Sequence, residues 1–327
     1  MPFTPPTGDQ VAALRRAIGD TFFANVTPGF LDTPEGSLAL DAQTMGRFNE
    51  VLATIIPWVG RHTYLANADI VEIGCGAGAS TAAFAAFSRR IHGYDIDEPG
   101  IRAAEERVRI LSLDNCALTL IAPQDLLPRA AADHPHGVDI ILCYAVLEHQ
   151  TLPERLETLR RCWSLLKDGG LLVVADTPNR LTYSDHHTSF LPFFHMLPHE
   201  LALAYAHKSP RDSLWPSLEA SVAKGEAAAT EHLIRWGRGV SYHEFELALG
   251  TSPPLTDLVV GDGYDPELLA TKGITLEERL LYTYAKAKNL RVPPAFFRES
   301  LDVILRKGGK PINAPIDHRP LPVQPLT

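Results

Sequence analysis

The sequence predicts an α/β fold: a doubly wound, mostly parallel sheet of Rossmann-like build, with helices ahead of it and a helical elaboration behind. Three observations carry that expectation. Apolar runs at residues 68–74, 90–95, 117–121, 138–143 and 171–175 alternate with stretches of helical periodicity, the pattern of parallel strands covered on both faces. The run from Asp69 to Ser80, DIVEIGCGAGAS, reads as a buried strand that passes into alternating glycines. Hydrophobic residues make up 45% of the 327, ample for one large core plus an elaboration.

Ahead of the core, Val11, Leu14, Ile18 and Phe22 recur at helical spacing over residues 9–23. Phe48, Leu52 and Ile55 do so over 38–59, where Pro57 is expected to bend or end the helix. Thr27-Pro28-Gly29 and Asp32-Thr33-Pro34-Glu35-Gly36 are loop chemistry. Residues 1–65 thus form a helical cap, over the pocket or over a sheet edge.

The core, residues 66–180, opens with the strand that ends on Glu72 and Ile73. Gly74, Gly76 and Gly78 let the chain turn tightly and bring bare backbone against a ligand. The helix expected over 80–89 sets its positive N-terminus beside that turn, so this is a nucleotide-type cofactor site. Gly74, Gly76 and Ala79 satisfy the loose dinucleotide pattern G-x-G-x-x-G/A. Glu72 and Gly78 extend it to E-x-G-x-G-x-G, in which a carboxylate can accept from an ammonium group, directly or through water. The second strand ends on Asp95, able to accept both hydroxyls of a ribose. Ile96 follows, placed against an adenine face or packing plainly. Asp97 starts the helix that contains Pro99. Asp125 and Leu126 follow the third strand, where Asp125 is either a ligand group or a helix N-cap. Tyr144 to His149 follow the fourth, and Lys167-Asp168-Gly169-Gly170 reads as a tight turn into the fifth.

With these motifs in this order, over about one third of the chain from Ala68 to Asn179, the sequence resembles the class I S-adenosylmethionine-dependent methyltransferases. The run DIILCYAVLEHQ…LRRCWSLLKDGGLLVVADTPN is similar to the fourth-to-fifth-strand unit of small-molecule members, including the ubiquinone-biosynthesis O-methyltransferases. The resemblance implies S-adenosylmethionine as cofactor. It assigns Glu72, Gly74, Gly76 and Gly78 to the amino-acid end, Asp95 to the ribose, and Asp125 with Leu126 to the adenine, with Ile96 and Tyr144 beside them. It also implies methyl transfer to a small-molecule acceptor, oxygen first. A nicotinamide-dependent oxidoreductase on a related sheet and a non-catalytic module of the same fold remain as alternatives.

Methyl transfer is an in-line displacement, so the protein has to align the nucleophile within about 3 to 3.5 Å and, for a hydroxyl, remove a proton. His149 is the leading base, followed by His187 and His186, against each of which stands the reading of a structural, hydrogen-bonding imidazole. Some relatives carry E-x-x-E-H here and a later histidine, together binding a divalent ion. Ala145 stands where the first glutamate would be. Glu148, His149 and one of His186 or His187 remain as a three-ligand option, and no metal is assigned.

The net charge of −9, without a Lys/Arg cluster, argues against nucleic-acid partners and for a small molecule. No apolar run approaches the roughly 20 residues of a membrane span. The start Met1-Pro2-Phe3-Thr4-Pro5-Pro6 lacks signal-peptide regions, so no membrane and a cytoplasmic location are expected, with the oligomeric state open. Cys75, Cys116, Cys143 and Cys162 fit no zinc spacing and read as buried thiols. Residues 181–327 are the elaboration and tail. Within them 189–205 form a lid, a pocket wall or a helical core, and 213–233 a helical insertion. Residues 236–246 read as a turn entering a strand or short helix, from which Arg238, Tyr242 and His243 are able to reach substrate. Residues 275–288 and 294–307 are read as helices, and 308–327 as an extended tail.

Overall fold

The computed structural model describes residues 4–308. Helix α1 (Gly8–Thr21) starts at a reciprocal cap in which the Thr7 hydroxyl accepts from the Gln10 N–H and the Gln10 side chain accepts from the Thr7 N–H. Helix α2 (Pro34–Asp41) begins inside the stretch expected to be loop. Thr33 caps it, and Pro34 stands at the first turn, where a missing N–H costs nothing. Helices α3 (Arg47–Glu50) and α4 (Ile56–Gly60) continue it through two π turns, Ala42–Gly46 and Val51–Ile55. The helix therefore runs past Pro57 to Gly60 instead of ending there, because the widened turn before the proline accommodates its ring.

The core follows in alternation: β1 (Asp69–Ile73), α5 (Ala79–Ala85), β2 (Arg90–Asp95), α6 (Glu98–Leu111), β3 (Cys116–Leu120), α7 (Pro123–Asp133), β4 (Val138–Tyr144), α8 (Leu152–Leu165) and β5 (Leu166–Pro178). Asp97 caps α6 by accepting from the Gly100 N–H at 2.8 Å. Ala122 occupies the cap position of α7, so Asp125 lies within its first turn and is not the cap. The expected turn at 167–170 is instead an irregular stretch inside β5. Its Gly169 N–H bonds to Lys307 and its Gly170 carbonyl accepts back from Lys307, while the register against β4 shifts.

The C-terminal part carries α9 (His199–Tyr205), α10 (Leu214–Val222), α11 (Glu226–Trp236), α12 (Tyr242–Leu249), α13 (Leu255–Leu258), β6 (Val259–Asp262), α14 (Pro266–Lys272), α15 (Leu276–Lys288) and β7 (Ser300–Arg306). The helix expected over 294–307 is thus corrected: a short 3₁₀ turn at Pro294–Phe297 leads into a strand. Leu301 to Leu305 are buried without interruption, which a strand inside a sheet allows and a surface helix with a polar face does not.

The seven strands form one sheet in the order β3-β2-β1-β4-β5-β7-β6. Strands β1 to β5 are parallel, and β7 runs antiparallel between β5 and β6. Ile140, Leu142 and Tyr144 of β4 point into one apolar layer with Trp58 and Phe84, while Ile141 and Cys143 point into the other with Leu159 and Phe296. Strand order reverses between β1 and β4, so the crevice beyond their carboxyl ends is where a ligand fits. All four cysteines are free thiols, Cys116 being only partly buried. Among the described residues no helix is long and apolar enough to cross a membrane. The expectations for Met1 to Phe3 and for the tail at 309–327 lie outside the described residues.

Candidate active site

The glycine loop leaves β1 at the crevice. Gly74, Gly76 and Gly78 have φ of +75°, +49° and +72°, a region L side chains rarely adopt. A Cβ on Gly74 would lie 2.5 Å from Val146 and one on Gly78 2.8 Å from Ala104, whereas one on Gly76 would meet no protein atom within 4 Å. The loop is therefore clamped at both ends and bare in the middle.

Asp95 is joined to that bare point. Its Oδ2 accepts from the Gly76 N–H at 2.6 Å and its Oδ1 from the Asp97 N–H at 2.9 Å, which leaves lone pairs on both oxygens. Burial raises its pKa, against the pull of these N–H groups. The Ile121 N–H bonds to the Asp95 carbonyl at 3.0 Å, so the segment leading to exposed Asp125 and buried Leu126 emerges beside it. Ile96 is 55% exposed at the same edge.

Glu72 is fully buried, and its oxygens accept from Ser80 and Thr81 at the start of α5. Burial pushes its pKa up to about 7. Its carboxyl thus stands behind the loop, engaged by α5, rather than bare toward the crevice as the direct form of the expectation requires. Tyr144 is buried at the end of β4 beneath the Arg47 guanidinium, 4.8 Å from the ring centroid, with its hydroxyl turned toward the Glu50 carboxyl. Ala145, just past β4, and Asp176, near the carboxyl end of β5, both take positive φ without being glycine, a local strain of the kind held where ligands bind.

A cleft of about 530 Å³ opens beyond these strands, lined by His149, His186, His187, Phe190, Arg211 and Trp236 among others. His149 Nδ1 lies 2.8 Å from the Arg235 carbonyl, which can only accept, so that nitrogen carries the proton and Nε2 is bare in the neutral ring. The Thr188 hydroxyl donates to the Gly237 carbonyl, so His187 Nδ1, 3.2 Å from that hydroxyl, is likewise the donor and its Nε2 is bare. Both Nε2 atoms approach Glu148 Oε1, at 3.7 and 3.8 Å.

Burial lowers the pKa of His149. Burial and the neighbouring His149 lower that of His187 to about 4, while burial pushes fully buried Glu148 up to about 8. Among the described residues Glu148 Oε1 has no hydrogen-bond partner. Three acceptors converging this way need a proton or a cation among them. Their ligand atoms lie within 4.8 Å of one another, so Glu148, His149 and His187 are the residues that would hold a divalent ion, which would supply Lewis acidity toward an acceptor oxygen. His186 does not join them: it is exposed, with Nε2 3.2 Å from Glu299.

The turn that presents His187 is built by Asp185, which accepts from the N–H groups of His187, Thr188 and Ser189 and pairs with His195 at 3.0 Å. Gly237 makes room for the ring, since a Cβ there would sit 2.5 Å from His187 Cε1. Arg211, Trp236 and Phe190 were not singled out from the sequence. The Arg211 guanidinium lies over both rings, 4.7 and 5.4 Å from their centroids. The available signals were the aromatic run at 189–205 and the turn read at Trp236-Gly237, where Gly237 ends α11. Arg238 does not reach this cleft: it is fully buried and donates to the carbonyls of Phe194, His195 and Leu197. Tyr242 packs against Phe296, and His243 lines a smaller hollow. The aromatics of 189–205 divide, Phe190 facing the cleft and Phe194 entering a small helical core with Leu214 and Leu233.

Residues 71–172 match the family described as a methyltransferase domain. Together with the strand order and glycine loop, this match makes that part of the chain similar to the class I S-adenosylmethionine-dependent methyltransferases. A ubiquinone biosynthesis O-methyltransferase of Nitrosospira multiformis is 28% identical over 122 residues, 37% of this chain and 48% of that protein. A probable S-adenosylmethionine-dependent methyltransferase of Mycobacterium tuberculosis is 30% identical over 130 residues, 39% and 42% of the two chains. The chain thus spans about half the length of the curated relatives it matches. Among solved structures, PKMT2 from Rickettsia typhi in complex with AdoHcy is 18% identical, with a TM-score of 0.46, over 83% of this chain and 54% of that one.

Proposed function

We propose that the chain transfers a methyl group from S-adenosylmethionine to a small-molecule acceptor, at oxygen. The observation that carries this reading is the bare backbone at Gly76 tied to the carboxylate of Asp95. A nucleoside laid there meets glycine backbone at one end and free carboxylate lone pairs at its ribose, with Ile96, Asp125 and Leu126 along the adenine side. Glu72 acts from behind the loop, through water, on the amino-acid end, and Tyr144 stands at the adjoining strand end. The curated relatives named for O-methyl transfer and for S-adenosylmethionine dependence support the reaction and the cofactor.

The acceptor occupies the cleft at His149 and His187. Their bare Nε2 atoms take the hydroxyl proton, and Phe190 and Trp236 offer apolar walls. His186, at the rim, is the weaker base because its ring is given to Glu299.

Calorimetry with S-adenosylhomocysteine and with NAD tests the cofactor, tight binding of the former being expected and preference for NAD overturning the reading. Asp95→Ala should weaken S-adenosylhomocysteine by about 1 to 3 kcal/mol, the scale of hydrogen bonds to a charged group. Unchanged affinity in a folded variant would place the ribose elsewhere.

A further inference from the structure

A second hollow, of about 300 Å³, lies beside the same two segments that carry His149 and Arg235. Their chain neighbours Gln150 and Ile234 line it, with Arg155, Arg180 and His199. Two guanidinium groups, those of Arg155 and Arg180, line it, and that of Arg238 acts on both from within the fold. Arg155 is only 3% exposed: its Nη1 pairs with Glu244 Oε2 at 2.7 Å, its Nη2 donates to the carbonyls of Gln150 and Arg238, and its Nε has no partner among the described residues. Arg238 is fully buried and spends its Nη groups on three carbonyls. Arg180 lines the hollow with no side-chain hydrogen bond or ion pair among the described residues. Its backbone packs against Gly239, where a Cβ would lie 2.7 Å from the Arg180 backbone nitrogen.

The acids that face this group do not balance it. Glu244 gives Oε2 to Arg155 and Oε1 to the Ser241 N–H. Asp185 acts on Arg238, but it is held by His195 at 3.0 Å, and Glu200 acts on His199. Three permanent cations thus meet one directly paired carboxylate, in a chain whose net charge is −9. Burial and mutual repulsion lower Arg238 to about 9, and burial lowers Arg180. Charge buried without a counter-ion is costly, and an anion placed there removes the cost. The rim is apolar, with Leu152 and Leu247 lining the hollow and largely exposed.

We propose that this hollow is a binding site for a small oxyanion, a carboxylate or phosphate group, held by Arg180 and the Nε–H of Arg155. Any apolar remainder of the ligand lies against Leu152 and Leu247. The site is separate from the glycine loop and does not depend on the reaction proposed above.

The test is calorimetry on the full chain with two probes, inorganic phosphate and hexanoate. One saturable site is expected, weakened roughly ten- to a hundred-fold in Arg180→Leu and less in Arg180→Lys, the scale of losing charge-assisted hydrogen bonds. Preference for phosphate identifies a phosphate group. Preference for hexanoate identifies a carboxylate with an apolar tail, and Leu247→Ser then weakens hexanoate alone. S-Adenosylhomocysteine affinity is the control for an intact glycine loop and stays unchanged. In the unsubstituted chain, saturation with the bound probe should slow amide hydrogen exchange over residues 150–155 and 238–244. The proposal is overturned if neither probe binds saturably at millimolar concentration, if Arg180→Leu binds equally well, or if exchange in those segments does not change.

Discussion

Gly74 and Gly76 share a positive φ but do different work, and two substitutions separate them. Gly76→Ala adds a methyl that meets no protein atom, so the chain should fold with about 1 kcal/mol of backbone strain while cofactor binding collapses, because the methyl fills the ligand's place. Gly74→Ala drives the same methyl into Val146 and should lower stability by about 1 to 3 kcal/mol on top of that strain, by chemical denaturation. Equal losses of stability would mean the loop is packed at both points. Glu72 makes the second prediction at this scale. Its folded pKa of about 7 lies above the ordinary 4.5, so the folded chain holds the proton longer. The stability this contributes is complete below about pH 4.5 and is lost as pH rises to about 7, by at most about 3 kcal/mol. Glu148 and Asp262 are raised as well and slope the same way, so the readout is the difference: Glu72→Gln should fall less steeply across that window than the parent chain. At this scale the glycines and Asp95 were legible, because a positive φ and an acid at a strand end are local demands. The hydroxyl partners of Glu72 were not, because which face of α5 meets β1 is a matter of packing.

Among elements, β7 is the instructive one. Its Asp302 is buried, accepts from the Asp176 N–H at 3.0 Å, and takes both of its ion-pair contacts from Lys272 of α14 at 2.9 and 3.0 Å. One aspartate thus ties the antiparallel strand to the strained end of β5 and to a helix. Lys272→Ala leaves that carboxyl buried without its cation and should cost about 3 to 5 kcal/mol in urea unfolding. A loss under about 1 kcal/mol would show Asp302 to be protonated in the folded chain. The parallel strands were readable because each is a short apolar run between helical stretches. Residues 300–306 have no turn signal to separate them from the Pro294–Phe297 segment, and their composition suits either element. Insertion between β5 and β6 made them a strand, and that choice rests on partners far away in the chain.

The whole molecule joins its N-terminal helices to the crevice, since Ile18 of α1 and Leu40 of α2 pack with Ala77 of the glycine loop and Ala103 of α6. Ordering the loop around a ligand should therefore stabilise the molecule in one transition rather than one part of it. S-Adenosylhomocysteine at a hundred times its dissociation constant should add about 2.7 kcal/mol and raise the melting temperature by a single cooperative step. Two separated transitions, with one of them unmoved, would uncouple the cap from the core. By itself the sequence determined the alternating sheet, the glycine turn and the acid at the end of β2, because these follow from backbone geometry and short-range periodicity. Tertiary structure alone decided that His187 rather than His186 faces Glu148, that Arg238 is buried, and that residues 300–306 complete the sheet. Each of those outcomes depends on contacts between segments far apart in the chain, where burial and charge outweigh any local preference.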